Sequence, residues 1–264
     1  MCLILFSWKT HPKYKLVLAA NRDEFYDRPT ATADYWEDHP GILAGKDLHA
    51  GGTWIGLGKS GRIAAITNYR DPQNIDPKAI SRGNLTLNYL KSSDSPESYL
   101  RKVKASGVHY NGFNLLVGDA DSMFYYNNVN HQITELQPGT YGLSNGFFQE
   151  NWPKLKKGRD ALKNLLKEKE IPEQKLIEIL TDKEMAEDRL LPKTGIPLDW
   201  ERALSPLFIT TEKYGTRCST LIFIDAEGNG RFVEKTYERG TSKEETLKEF
   251  NFKTNASNEH LSNQ

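Results

Sequence analysis

Two short apolar runs at the start of the chain leave it few ways to fold. Cys2-Leu3-Ile4-Leu5-Phe6-Ser7-Trp8 and Tyr14-Lys15-Leu16-Val17-Leu18-Ala19-Ala20 flank the polar turn Lys9-Thr10-His11-Pro12-Lys13. Runs of this length and composition read as strands, and the spacing predicts an antiparallel hairpin over positions 2–20. The second run ends on Asn21-Arg22-Asp23-Glu24. The hairpin therefore returns an amide, a guanidinium and two carboxylates to the N-terminus. Removal of Met1 would leave Cys2 there, with a thiol and a free α-amine on one residue. That is a candidate nucleophile with polar support drawn from sequence neighbours alone.

The rest of the chain limits what such a hairpin can belong to. Its 264 residues, 38% hydrophobic and 27% charged, suit one large domain or two small ones. The pattern reads as a single domain over 1–253, followed by a polar tail, 254–264, of disordered composition. Lys plus Arg equals Asp plus Glu at 35 each, so no net field favours nucleic acid or an anionic membrane. No apolar run approaches the ~20 residues of a membrane span. The N-terminal run is short and lacks a preceding basic region, so it reads as a strand and not a signal peptide. Cys2 and Cys218 form neither a metal nor a disulfide pattern, which fits a reducing, cytoplasmic setting.

Further strands are expected around 51–57 and 62–69, joined by the turn Gly58-Lys59-Ser60-Gly61, after an irregular section from Arg28. Helical spacing covers 85–90, and Ser95-Pro96-Glu97 starts a helix to about Ala105. Positions 113–118, 123–126 and 132–136 read as a meander. Helices follow from Pro153, over 173–180 and over 182–190. A strand at 207–209 precedes a hairpin of 217–224 with 230–237, and 243–250 reads as a short helix. Strands at both ends and helices between them suggest a layered, mostly antiparallel domain.

Several motifs match only by letter. Gly56-Leu57-Gly58-Lys59-Ser60-Gly61 fits the dinucleotide pattern, but a strand follows where a phosphate-binding helix is needed. Gly52 and Gly58 have the wrong separation for a P-loop. Gly142-Leu143-Ser144-Asn145-Gly146 fits the serine-hydrolase elbow, yet the one histidine downstream is His260 in the tail. The histidines have no metal-ligand spacing.

Cys2 alone would be an ordinary buried thiol. Its neighbourhood argues for more. In extended chain Arg22 and Glu24 share one face and Asn21 and Asp23 the other, so one pair must face whatever the sheet packs on. A solvated strand end carrying surface ion pairs is the bland alternative. Asn68, Asn145 and Arg217 lie at or beside other expected strands and could converge on the same place.

At these residues the chain resembles the NRDE, or Transport and Golgi organisation, family. Met1-Cys2-Leu3, Asn21-Arg22-Asp23-Glu24, Gly51-Gly52-Thr53-Trp54, Thr67-Asn68-Tyr69-Arg70, Ser81-Arg82-Gly83, Gly142-Leu143-Ser144-Asn145 and Tyr214-Gly215-Thr216-Arg217 carry the likeness, in order, over roughly 1–240. The resemblance implies an α+β fold, a four-layer αββα sandwich like that of the N-terminal nucleophile hydrolases. It implies Cys2 as nucleophile, Asn68 as oxyanion donor, Asn145 as a second polar residue of the site and Arg217 as a late arginine near it. Arg22, Asp23 and Glu24 stay open as to which contacts Cys2, because the acylases of that superfamily place an arginine three residues before an aspartate. Asn21, Trp54 and Tyr69 are candidate substrate-binding residues.

Two functions are implied. One is an amidohydrolase or acyltransferase acting on a linear amide or thioester, with no cofactor and no metal. The other is a non-catalytic protein that binds or moves lipid, acyl-CoA or haem in the same pocket, haem being a possible bound ligand. The expected partner is a small-molecule or acyl substrate or ligand, with no nucleic acid and no membrane span.

Overall fold

The computed structural model describes residues 2–58 and 61–254. β1 (Cys2–Trp8) and β2 (Tyr14–Phe25) form the N-terminal hairpin. The chain then crosses to a second sheet and lays down a meander: β3 (Thr30–Tyr35), β4 (Ile42–Asp47), β5 (Ile55–Gly58), β6 (Ile63–Asn68), β7 (Phe113–Gly118), β8 (Met123–Asn127) and β9 (Gln132–Glu135). Helices α1 (Gly83–Lys91) and α2 (Pro96–Ala105) interrupt it between β6 and β7. β10 (Gly139–Leu143) returns to pair with β1. Helices α3 (Pro153–Leu165), α4 (Glu173–Leu180) and α5 (Leu198–Ala203) lead to β11 (Tyr214–Asp225), β12 (Asn229–Tyr237) and β13 (Glu244–Lys253). The first sheet has the order β10-β1-β2-β11-β12-β13, and every pairing in both sheets is antiparallel.

β1 and β2 are interior strands covered on both faces, which is why they read as nearly unbroken apolar runs. Ile4, Phe6, Leu16, Leu18 and Ala20 pack between the sheets with Leu57, Ile63, Ala65, Leu116 and Met123. The alternate residues Leu3, Leu5, Val17 and Ala19 pack under α3 and α4, against Leu155, Leu162, Leu176 and Leu180. On the far side Leu85, Tyr89 and Leu100 of α1 and α2 cover Ala64, Ile66, Leu115 and Val117. The layers are helix, sheet, sheet, helix, as the resemblance implies.

The structure departs from the sequence reading in four places. The section after Arg28 is not irregular but holds β3 and β4. Residues 243–250 are not a helix. They belong to β13, where Phe250 and Phe252 alternate onto the inter-sheet core, a period of two hidden among Glu and Lys. Most of 182–190 is not helical either, with only a single 3-10 turn at Asp188–Leu190. There the backbone is tied to distant groups: the Phe208 N–H donates to the Asp182 carbonyl (2.8 Å) and the Ala186 N–H to Ser205 Oγ (3.0 Å). Finally, 207–209 makes no strand, because the Leu207 carbonyl accepts from Asn21 and the Ile209 N–H donates to Thr216 Oγ1. The antiparallel pairing of β5 and β6 agrees with a hairpin there, although Lys59 and Ser60 of its expected turn lie outside the described residues. Of the expected tail, Thr254 is held by its N–H to the Gly228 carbonyl at 2.8 Å, and 255–264 lie outside the described residues.

One buried carboxyl bridges the sheets. Glu234 of β12 accepts the Ala33 N–H of β3 at 2.6 Å, and burial pushes its pKa up to about 6. A raised carboxyl pKa stabilises the fold below the unfolded value and ceases to do so as pH rises through 6. The loss is about 2 kcal/mol at 1.36 kcal/mol per unit. Glu234→Gln keeps the acceptor and removes the titration. Urea unfolding at pH 4.5 and 7.5 should show the wild type losing about 2 kcal/mol relative to the variant; parallel changes would refute the assignment.

Candidate active site

Strand register places the nucleophile candidate. Cys2 sits opposite Arg22 on β2, and Arg22 in turn sits opposite Cys218 on β11. Paired residues share a sheet face, so all three belong to the face turned toward the second sheet. The same alternation turns Asn21 and Asp23 toward the helices. β2 runs on to Phe25, so the four polar residues lie within a paired strand rather than beyond its end.

Cys2 is half-buried and lines a cavity of about 350 Å³ with Arg22, Asp23, Glu24, Arg28, His49, Trp54, Asn68 and Arg82 among its walls. Arg22 is held by a stack on Trp54, with its guanidinium 4.2 Å from the ring centroid, and by an N–H donated to Thr30 Oγ1 at 3.0 Å. The indole lies flat because Gly45 leaves room: a Cβ there would come within 2.2 Å of the ring. Arg28 is ion-paired with Asp47 at 2.7 Å and lies 3.9 Å from Glu24. Arg82 donates to the Gly112 carbonyl at 3.0 Å. Burial raises the Cys2 thiol pKa and Asp23 raises it further, whereas Arg22 and the Asp23 backbone N–H favour the thiolate.

Behind Cys2 lies a buried polar group of residues. Asp23 is 1% exposed; Thr216 Oγ1 donates to its Oδ1 at 2.7 Å, and Tyr214 donates to its carbonyl at 2.9 Å. Burial raises the Asp23 pKa, with Lys154 opposing. Lys154, 3% exposed at the start of α3, donates to the Leu204 carbonyl, and burial pushes it down to about 8, with Asp23 the chief opposing influence. Next to it Arg70 and Glu201 form an ion pair at 2.7 Å. A low-dielectric pocket holding acids and bases with displaced pKa values can move protons near neutral pH.

A second, largely apolar cavity of about 480 Å³ adjoins the first, sharing Glu24, Asn68, Arg82 and Asn111 with it. Phe25, Tyr69, Ile75, Ile196, Trp200 and Leu204 supply its apolar wall. Asn68 ends β6 at the junction, and among the described residues its carboxamide makes no hydrogen bond. The Asn145 side chain is committed, donating to the Asn68 carbonyl at 2.8 Å. Ser144 Oγ donates to the Cys2 carbonyl at 3.2 Å, and Thr67 donates to the Ser144 carbonyl.

The structure thus brings Cys2, Arg22, Asp23, Glu24, Asn68 and Trp54 to one cavity and Tyr69 and Asn145 to its neighbour. Asn21 is elsewhere: buried at 1% exposure, it donates to the Leu180 and Leu207 carbonyls and accepts from Ser219, fastening the helical layer to β2. Arg217 does not line the Cys2 cavity. It falls at a bulge inside β11, not before the strand, and lies beyond Arg22. Sequence reasoning missed Lys154, Arg28 and Asn111. It quoted Ser81-Arg82-Gly83, Arg70 and Tyr214 without giving them roles. Lys154 had a signal, since it falls on the helical stripe of Gly158 and Leu162.

The two-sheet αββα fold, with a cysteine at the head of its first strand, is the N-terminal nucleophile hydrolase-like fold. Two variants of the conjugated bile acid hydrolase of Clostridium perfringens share the fold at TM-scores of 0.55 and 0.53, with 10% identity over 95% of this chain and 92% of theirs. The chain belongs to the Transport and Golgi organisation 2 family, whose model matches residues 1–239. The Transport and Golgi organization 2 homolog of Mus musculus is 37% identical over 93% of this chain and 97% of its own length. The Homo sapiens homolog is 37% identical over 89% and 93%, and the Drosophila melanogaster protein 29% identical over 89% and 92%. Among the described residues no helix is long and apolar enough to cross a membrane, and no group of three or more His, Cys, Asp or Glu is placed to hold a metal ion.

Proposed function

We propose that the chain is a hydrolase or acyltransferase in which Cys2, exposed as the N-terminal residue by loss of Met1, attacks a linear amide or thioester. The observation that carries this reading is the junction of the two cavities. A half-buried thiol beside Arg22 lines a polar cavity, and the apolar cavity next to it meets it at Asn68. In this reading the α-amine of Cys2 takes the thiol proton. The thiolate adds to the carbonyl, and Asn68 donates to the oxyanion. The C–N or C–S bond breaks as the leaving group takes that proton, and water then hydrolyses the thioester. The buried Asp23 and Lys154 fix the charge around the amine.

A second reading keeps the pocket without the reaction. The apolar wall of Phe25, Ile196, Trp200 and Leu204 favours it, since such a wall suits a lipid or an acyl chain whatever Cys2 does. Haem is a further ligand of this reading. Cys2 and His49 are side chains of iron-binding type on the cavity wall, and Arg22, Arg28 and Arg82 suit its carboxylates.

Intact mass spectrometry after exposure to a thiol-directed acyl probe decides between the two. The hydrolase reading expects a protein that begins at Cys2 and one adduct, mapped to Cys2 and absent from the buried Cys218. Retained Met1, or a probe that labels neither cysteine, would overturn it. A lipid or haem titration that saturates without turnover would favour the second reading.

A further inference from the structure

Beyond the Arg22–Trp54 stack lies a third cavity, of about 380 Å³, that the proposed reaction does not use. Arg22 and Trp54 form the partition, lining this chamber on one side and the Cys2 cavity on the other. Its remaining walls come from β3, β11, β12 and β13 and include Arg217, Arg239, Glu234, Cys218 and Thr246.

Among the described residues Arg22, Arg217 and Arg239 have no carboxylate within ion-pair distance; Arg217 donates instead to the Phe25 and Arg28 carbonyls at 2.8 and 3.1 Å. Arg22 is nevertheless only 5% exposed, and Arg217 has its pKa held down by burial and by the like charge of Arg22. Two carboxyls share the walls: the exposed Glu245, and the buried Glu234, whose Oε1 accepts the Ala33 N–H while its Oε2 has no hydrogen-bond partner. The Trp54 indole N–H is buried and has no hydrogen-bond partner. The pairing register skips Arg217, at the bulge between Thr216 and Cys218. A bulge of this kind re-aims a side chain that strict alternation would send elsewhere. Two arginines lining one chamber, one of them re-aimed by the bulge, make a binding site for an anion.

We infer that this chamber binds the carboxylate or phosphate group of a small metabolite, held by Arg22 and Arg217, with the exposed Arg239 at its mouth. The volume leaves room for the rest of a small metabolite. Because Arg22 faces both cavities, the bound anion draws the guanidinium charge away from Cys2. Occupancy therefore slows the chemistry of the Cys2 thiol, and the chamber regulates the site behind it.

The test titrates the full chain with inorganic phosphate and, separately, with acetate, at ionic strength held constant with sodium chloride. Thermal shift reads binding, and the rate of Cys2 carbamidomethylation reads the coupling. Neither needs the protein to hydrolyse anything. A saturable shift is expected, and the ratio of the two affinities tells phosphate from carboxylate. Arg217→Gln and Arg239→Gln should each weaken binding by about tenfold or more, the worth of one charged hydrogen bond. Arg82→Gln, which lines the Cys2 and apolar cavities but not this chamber, should leave the affinity within about twofold. Saturating anion should slow Cys2 alkylation by about threefold, half a pKa unit of lost thiolate. If Arg217→Gln does not fold, the exposed Arg239→Gln carries the test. The proposal fails if neither anion gives a saturable shift, if Arg82→Gln weakens binding while Arg239→Gln does not, or if Cys2 alkylation is unchanged at saturation.

Discussion

Replacing Glu201 with alanine is expected to cost about 3–5 kcal/mol, the usual penalty for leaving a buried charge without its partner. Glu201 is 4% exposed and Arg70 8%, and their 2.7 Å contact is shielded from solvent on both sides. Burial holds the Arg70 pKa below its ordinary value even with Glu201 against it. Desolvation therefore already outweighs attraction, and removing the carboxylate takes away the largest influence that opposes it. The same carboxylate accepts the Thr194 N–H and hydroxyl at 3.0 and 2.6 Å, so the loop before α5 loses its anchor as well. In calorimetry the transition should fall by about 10 °C, at 2–4 °C per kcal/mol for a chain of this size. Arg70→Met with Glu201→Leu should recover most of that loss, because apolar residues of similar volume replace a buried pair at little cost. A loss under about 1 kcal/mol for Glu201→Ala would mean that water reaches the pair. Trp200 and Leu204, in and just after α5, line the apolar cavity, so Glu201→Ala should also weaken binding of an apolar ligand there.

What the sequence could and could not disclose follows from where each residue draws its partners. The hairpin, the faces of Arg22 and Asp23 and the helix opened by Pro153 are local patterns, and all are found in the structure. β13 was hidden because its Glu and Lys residues favour a helix when read alone; only the edge of β12 supplies the ladder that makes 244–253 a strand. Asn21 looked like part of the site because its three neighbours are. It faces the helices as Asp23 does, but two residues further from the strand end, where the Leu180 and Leu207 carbonyls take both its N–H groups. Arg217 could not be placed from spacing at all, since a one-residue bulge reverses the face on which a strand residue falls. The buried Arg70 and Glu201 satisfy each other across 131 residues of chain, and Lys154 draws on Asp23 from equally far away. No local window contains such a set.

Asn68→Ala should lower kcat for a short-chain acyl thioester by about 10²–10³, or about 2.7–4 kcal/mol in the barrier, with little change in KM. The expectation rests on how the residue is held. β6 is paired with β5 at Ile63, Ala64 and Ala65 and with β7 out to Asn68 itself, so its end is held from the β7 side. The Asn68 carbonyl is pinned by Asn145 and the next N–H, that of Tyr69, donates to the Gly112 carbonyl at 2.8 Å. The carboxamide itself makes no hydrogen bond among the described residues, so the alanine variant removes a donor without opening a hole in a network, and stability should change by less than about 0.5 kcal/mol. Asn68→Asp separates shape from charge: it fits the same space but offers an acceptor, or a negative charge, to a developing oxyanion, and should lose at least as much kcat as alanine. A rise in KM at constant kcat would assign Asn68 to ground-state binding, and unchanged kinetics would remove it from the reaction. Asn145→Ala offers the complementary check. Its amide is spent on the Asn68 backbone, so it acts as a positioning residue; its variant should lower kcat in the wild type and add little once Asn68 is alanine, since both changes act through the same carboxamide.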